Sequence, residues 1–124
     1  MKSFARFSYE DLEVWQKAIE FADLVIDAVD KLDTNRKHFR LIEQLESSAT
    51  SIALNIAEGK GRFSKKEFVR FLYIARGSLF ETVTLMEIFK RRAWIEQEYY
   101  RNIREKGNEI GKMLSGLINS IRRS

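Results

Sequence analysis

The sequence predicts an all-α fold, an antiparallel up-down-up-down four-helix bundle. The 124 residues include no proline, which permits long unbroken helices. Apolar residues recur at alternating spacings of three and four in four segments, as in helices that bury one face. The breaks between these segments are short, so consecutive helices should be antiparallel neighbours. We expect one four-helix domain over residues 1–124, with helices at about 9–32, 36–59, 64–92 and 96–122.

The first helix should begin after Ser8, a predicted N-cap with Asp11 three residues later. Acidic side chains in the first turns suit the positive end of the helix dipole. The predicted core seam, spaced three and four apart, is Leu12, Trp15, Ile19, Ala22, Ile26 and Val29. A second set widens the apolar face and consists of Val14, Ala18, Phe21 and Val25.

The second helix has a seam of Ile42, Leu45, Ala49, Ile52 and Ile56, with small polar residues between them. Helix propensity is low there, so tertiary packing must hold this segment. Gly59 and Gly61 are predicted stop signals, because glycine enters the left-handed region without penalty.

Ser64 and Glu67 form a capping box that opens the third helix. Its seam is Phe68, Leu72, Ala75, Leu79, Thr82, Met86 and Phe89. A second apolar stripe beside it consists of Phe71, Ile74, Leu85 and Ile88. This apolar surface exceeds what a small monomeric bundle covers, and we therefore expect a homo-oligomer.

The fourth helix has a seam of Ile103, Ile110, Leu114, Leu117 and Ile121. Gly107, Gly111 and Ser115 recur every four residues, and a helical glycine costs about 1 kcal/mol relative to alanine. The repeat indicates either close backbone contact with a partner helix or a weak helix that the fold tolerates.

No residues suggest catalysis, a metal site or a cofactor, and we expect no enzyme activity. His38 is the only histidine, so neither the Glu-x-x-His pairs of a di-iron bundle nor a base for a serine nucleophile is present. Gly59-Lys60-Gly61 lacks the spacing of a phosphate-binding loop. No apolar run approaches the roughly 20 residues of a membrane span, and no secretory signal is visible. We expect a cytoplasmic protein without membrane contact.

Charge is distributed unevenly along the chain. Residues 1–35 carry 4 basic and 8 acidic groups, a net charge of −4, and residues 36–124 carry 18 and 10, a net charge of +8. The densest basic run consists of Lys60, Arg62, Lys65, Lys66 and Arg70. Such arrays attract phosphate backbones, so these five are candidate nucleic-acid-binding residues. The alternative is a solvated helix face.

The polar residues beside this run favour a structural role over a ligand site. Asn55 and Glu58 share a helix face, and a half-buried asparagine commonly fixes the register between helices. Arg62, Arg70 or Arg76 is expected to pair with Glu58 or Glu81 across the hairpin. The predicted structural or interface residues are Asn55, Glu58, Arg76, Gly77 and Glu81.

Four stretches resemble the four-helix-bundle proteins encoded in intervening sequences of bacterial 23S ribosomal RNA genes. The most specific is SIALNIAEGKGRFS at 51–64, followed by EFVRFLYIARGSL at 67–79. LEVWQKA at 12–18 and EIGKMLSGLI at 109–118 extend the similarity over nearly the whole chain.

The resemblance implies a bundle that assembles into a ring, a homopentamer. The family is also similar to accessory proteins of diversity-generating retroelements, which bind nucleic acid and a reverse transcriptase. It therefore implies partners among RNA, DNA, a reverse transcriptase or ribosomal components. We expect a scaffold associated with nucleic acid, and the alternative is a protein-interaction scaffold with no nucleic-acid role.

Overall fold

The computed structural model describes residues 4–124, which form four long helices. They are α1 (Glu13–Asp30), α2 (Phe39–Lys60), α3 (Lys65–Arg91) and α4 (Gln97–Arg123), and a 3₁₀ turn at Ser8–Asp11 precedes α1. Helices α1 and α3 each pack against both α2 and α4. The four-helix bundle predicted from the spacing is confirmed.

The first two helices begin later than predicted. Leu12 is extended (φ −75°, ψ 120°) and separates the 3₁₀ turn from α1, and Ser8 makes no side-chain cap, so the Ser8 prediction was wrong. Before α2, Asn35, Arg36 and His38 have φ of 55°, 59° and 66°. These left-handed residues continue the loop to His38, because a right-handed helix cannot include them.

Helix α1 buries a different face from the predicted seam. Its buried side chains are Val14, Ala18, Phe21, Ala22, Val25 and Ala28. Ile19 and Ile26 are 39% and 38% exposed, so the seam prediction was wrong for these two. The residues expected only to widen the apolar face form the core instead.

The seams of α2 and α3 are largely confirmed. In α2, Leu45, Ala49, Ile52 and Ile56 are buried, whereas Ile42 is only half-buried. The α3 seam is buried from Leu72 to Phe89, and Phe68 at its start is half-buried. In α4, Leu117 and Ile121 are half-buried, and Ile118 takes the inward position between them.

Two hydroxyl pairs join α2 to α3 through the small polar residues of α2. Ser48 Oγ and Thr82 Oγ1 are buried and 2.8 Å apart, and the Thr82 hydroxyl lies 2.8 Å from the Ser78 carbonyl oxygen, to which it donates. Ser51 Oγ and Ser78 Oγ are 2.9 Å apart nearer the surface. Each buried hydroxyl therefore has a partner, as burial of polar groups requires.

The two connections at the opposite end from the α2–α3 turn lie against each other. The backbone N–H of Asp33 donates to the Trp94 carbonyl oxygen over 2.9 Å. The rings of His38 and Trp94 stack with centroids 4.4 Å apart. His38 is exposed and precedes the first residue of α2, where its side chain makes no cap hydrogen bond.

Between α3 and α4, Glu87 accepts hydrogen bonds from the Tyr100 hydroxyl at 2.6 Å and from Arg91 Nε at 2.9 Å. These two bonds hold the pKa of Glu87 below its ordinary value. The bond to Glu87 also raises the pKa of Tyr100 above its usual range, because it favours the neutral phenol.

Candidate nucleic-acid interface

A four-residue turn, Gly61–Ser64, joins α2 to α3 and is anchored on both sides. The N–H of Gly61 donates to the Ala57 carbonyl oxygen over 3.2 Å. On the other side, Ser64 Oγ accepts from the Glu67 N–H over 3.0 Å. Half of the predicted capping box therefore forms, while the Glu67 carboxylate accepts from Arg70 instead of reaching back to Ser64.

Gly59 serves close packing, not helix termination. Helix α2 continues through it and ends at Lys60, so the stop predicted at Gly59 was wrong and the one at Gly61, the C-cap, is confirmed. Gly61 has φ −79°, so the left-handed conformation expected there was wrong. A Cβ at Gly59 would lie 2.7 Å from Phe71 Cβ and 3.1 Å from Phe68 Cδ1. The missing side chain is what lets α3 approach α2 beside the turn.

Two of the five candidate cations are paired with carboxylates. Arg62 forms an ion pair with Glu58, as predicted, and Arg70 pairs with Glu67 over 3.0 Å. Both guanidinium groups also lie over the ring of Phe71, at 4.9 and 4.6 Å from its centroid. The bond from Arg70 holds the pKa of Glu67 below its ordinary value. Because their charges are offset locally, Arg62 and Arg70 contribute less to an external field than their positions suggest.

The fold adds cations from the far end of the chain. Lys65 Nζ lies 3.1 Å from Ser124 Oγ, 59 residues away. Arg122 donates to the Tyr73 hydroxyl over 3.0 Å. A cleft of about 340 Å³ between the start of α3 and the end of α4 is lined by Lys65, Lys66 and Arg122 together with Val69, Ile121 and Ser124.

We call this surface the basic end. It is defined by Lys60, Lys65, Lys66, Arg122 and Arg123, all exposed. Within residues 4–124, none of these five forms a salt bridge with a carboxylate. The acidic start of α1 lies at the same end of the bundle, but α1 packs on α2 and α4 and not on α3. An anion approaching this end is therefore drawn to the side of α3 and α4.

The predicted structural residues lie on two sides of α3: some contact α2 and one contacts α4. Asn55 is half-buried, and its Nδ2 donates to the carbonyl and hydroxyl oxygens of Ser51, 2.8 and 2.9 Å away in its own helix. The link to α3 is made by Ser51, so Asn55 acts on the register only through that serine. On the same side, Glu81 accepts from Gln44 over 3.3 Å.

Arg76 faces α4 instead of the acidic residues that were predicted as its partners. Its Nη1 donates to Ser115 Oγ over 3.2 Å, and its guanidinium lies 4.9 Å from the Tyr73 ring centroid. The expected pairing of Arg76 with Glu58 or Glu81 was wrong. Gly77, on the next position of α3, is exposed, and a Cβ there would meet no atom within 4 Å.

A groove of about 800 Å³ runs between α3 and α4. Leu79 and Val83 lie beneath it, and a Cβ at Gly107 would approach their side chains to 3.4 and 3.3 Å. Gly111 likewise meets Leu79. Gly107 and Gly111 therefore lie close against side chains of α3 in the same protomer. Phe80 at the rim of the groove is 57% exposed.

Three residues of the interface were not predicted from the sequence. Arg122 and Arg123 were not assigned to it, although the predicted up-down order already places the end of the fourth helix beside the start of the third. Phe63 was not considered, and it is the most exposed side chain among the large hydrophobic residues of the described chain, at 110%. Its position between Arg62 and Ser64 in a predicted turn was the available signal.

Within residues 4–124, no group of three or more His, Asp or Glu side chains is arranged to hold a metal ion. In the same range, no helix combines the length and apolarity needed to cross a membrane.

Comparison with known proteins identifies relatives over most of the chain. The family model described as 23S rRNA-intervening sequence protein matches residues 10–116. A solved structure from Bacteroides thetaiotaomicron, described as a protein of unknown function from the S23 ribosomal protein family, is 32% identical with a TM-score of 0.79. The match covers 85% of this chain and 97% of that one. No curated protein matches the sequence.

Proposed function

The chain belongs to the 23S rRNA-intervening sequence protein family, and from this premise we propose that it is a non-enzymatic helical scaffold that binds RNA or DNA through its basic end. The observation that carries the proposal is the gathering of five cations without carboxylate partners, drawn from the end of α2, the start of α3 and the end of α4. Cations held this way are available to neutralise phosphates.

The cleft between α3 and α4 favours direct contact with the phosphates of a nucleic acid over loose binding of small anions. Lys65, Lys66 and Arg122 line it together, so one phosphate group can contact more than one cation at a time. Arg122 is held by Tyr73, which reduces the side-chain entropy lost on binding. The positive end of the α3 dipole adds to the attraction.

The test is the salt dependence of binding to fragments of 23S ribosomal RNA. We expect the triple variant Lys65→Ala, Lys66→Ala, Arg122→Ala to bind more weakly and to flatten the plot of log K against log salt. Three lost phosphate contacts at about 0.7 each for a single strand lower the slope by about 2. Circular dichroism should show unchanged helicity, because all three side chains are exposed.

The matched control removes the same charge from the opposite end of the bundle. Arg36, Lys37 and Arg40 are exposed near the start of α2, and the 22 residues of that helix span about 33 Å. Replacing these three by alanine should change the slope much less. Equal losses in both variants would assign binding to net charge alone, and no RNA binding at low salt would refute the proposal.

We also propose that copies of the chain assemble through the face formed by α3 and α4. Two exposed aromatic side chains on this side of α3 support this, since Tyr73 is 39% and Phe80 57% exposed. The groove beside Phe80 has small residues on its α4 wall, so a neighbouring helix can approach closely. The same surface suits the alternative function, a protein-interaction scaffold whose partner is a reverse transcriptase or a ribosomal component.

Light scattering separates these possibilities. If copies assemble, the mass in solution should be a multiple of 14.6 kDa, and the family resemblance implies five copies. Phe80→Glu should lower this mass towards that of one copy. A mass of 14.6 kDa at all concentrations would contradict self-assembly and leave the groove to a different protein.

A further inference from the structure

We propose, on the basis of the proposed function, that the basic end takes single-stranded nucleic acid and that Phe63 is the surface on which an unpaired base stacks. Phe63 is 110% exposed, and none of the aromatic or cation–π contacts of the described chain involves its ring. Both faces of the ring are therefore open.

The other aromatic rings near this end are engaged by cations or by other rings, as Tyr9 is by Phe7 and Trp15. Lys60 lies over Phe68 at 5.9 Å, and Arg62 and Arg70 lie over Phe71. Arg76 lies over Tyr73 at 4.9 Å. Phe63 is thus a ring at this end that none of these contacts covers, and neighbouring Arg62 pairs with Glu58 and lies over Phe71 instead.

The turn presents Phe63 on a short, anchored loop. The bond from Gly61 to Ala57 and the Ser64 cap hold the residues on either side. A ring presented in this way loses little backbone freedom when a base stacks on it. Lys60, Lys65 and Lys66 lie within three residues along the chain, where they can contact the phosphates flanking that base.

Charge and chemistry favour a single strand as the occupant. A duplex buries the faces of its bases, so it offers phosphates to the cations but no flat surface to the ring. An unpaired strand offers both. Phe63 also lines a depression with Tyr9 and Leu54, and contact between two copies there is the competing use of the ring that the assembly mass tests.

The experiment measures fluorescence anisotropy of a labelled RNA strand of about 16 nucleotides, the upper end of common site sizes, and of its blunt duplex. We expect tighter binding of the single strand. Phe63→Leu keeps an apolar side chain but removes the π face, and it should weaken single-strand binding by roughly five- to 150-fold. Duplex affinity and the salt slope should stay unchanged, because the phosphate contacts remain. Phe63→Trp should preserve binding.

The matched control is Phe39→Leu, since Phe39 is 65% exposed at the opposite end, and it should leave both affinities unchanged. Equal binding of strand and duplex, with no effect of Phe63→Leu, would overturn this inference and leave the proposed function intact. A fall in assembly mass without a change in affinity would reassign Phe63 to contacts between copies. No binding of either RNA would remove the proposed function and this inference together.

Discussion

The substitution Gly59→Ala tests whether close approach of α2 and α3 sets the geometry of the interface. The added Cβ would lie 2.7 Å from Phe71 Cβ, whereas carbon atoms in contact are normally about 3.5–4.0 Å apart. The nearest atom is the first carbon of its side chain and cannot swing away without moving α3. The two helices must therefore separate by about 1 Å at the point where the turn begins.

The expected cost follows from comparison with a glycine that has free space. Forcing a methyl group into a packed site typically costs about 1–3 kcal/mol. Replacing a helical glycine by alanine gains about 1 kcal/mol. A Cβ added at Gly116 would meet no atom within 4 Å, so Gly116→Ala should keep that gain in full. The two variants should therefore differ in unfolding free energy by about 1–3 kcal/mol, with Gly59→Ala the less stable.

Urea unfolding at one protein concentration measures this difference, because self-assembly would otherwise shift the apparent stability. The midpoints should differ while the m-values agree. Gly59→Ala should also weaken RNA binding, since the turn that carries Phe63 moves. If Gly59→Ala proves at least as stable as Gly116→Ala, the close packing beside the turn does not govern stability and the reasoning is refuted.

Two further predictions concern contacts between helices. Ser48→Ala and Thr82→Val should each lower the free energy of unfolding by about 1 kcal/mol. The double variant should lose less than the sum of the two, because the hydroxyls form one buried pair. Additive losses would show that the pair contributes nothing to stability. Glu87→Gln should lower the urea midpoint at pH 7, because the carboxylate accepts from Tyr100 and Arg91. The pKa of Glu87 is lowered in the folded protein, so this stabilisation is present above its unfolded value of about 4.3 and is lost as the pH falls through the folded value. The gap between Glu87→Gln and the natural chain should thus narrow as the pH falls below the unfolded value, and a gap independent of pH would contradict the assignment.

Much of the hairpin was predictable because its signals are local. A serine that caps the third residue after it, a short turn and a basic run depend on residues close in sequence. The Arg62–Glu58 pair has the same local origin, four residues apart. By contrast, the partner of Arg76 depends on which helix faces its side chain, and there the prediction failed.

The residues by themselves determined the number of helices, their order and most of the inward faces of α2 and α3, since these follow from where the apolar segments break and from the spacing of three and four within them. The inward face of α1 was decided by tertiary structure. Its two apolar sets lie only one residue apart, about 100° around the helix, and the packing of α2 and α4 selected Val14, Ala18, Phe21 and Val25 over Ile19 and Ile26. The cleft of the basic end was decided in the same way: the helix order places the end of α4 beside the start of α3, but only the packing of the two helices brings Lys65, Lys66 and Arg122 to one cleft.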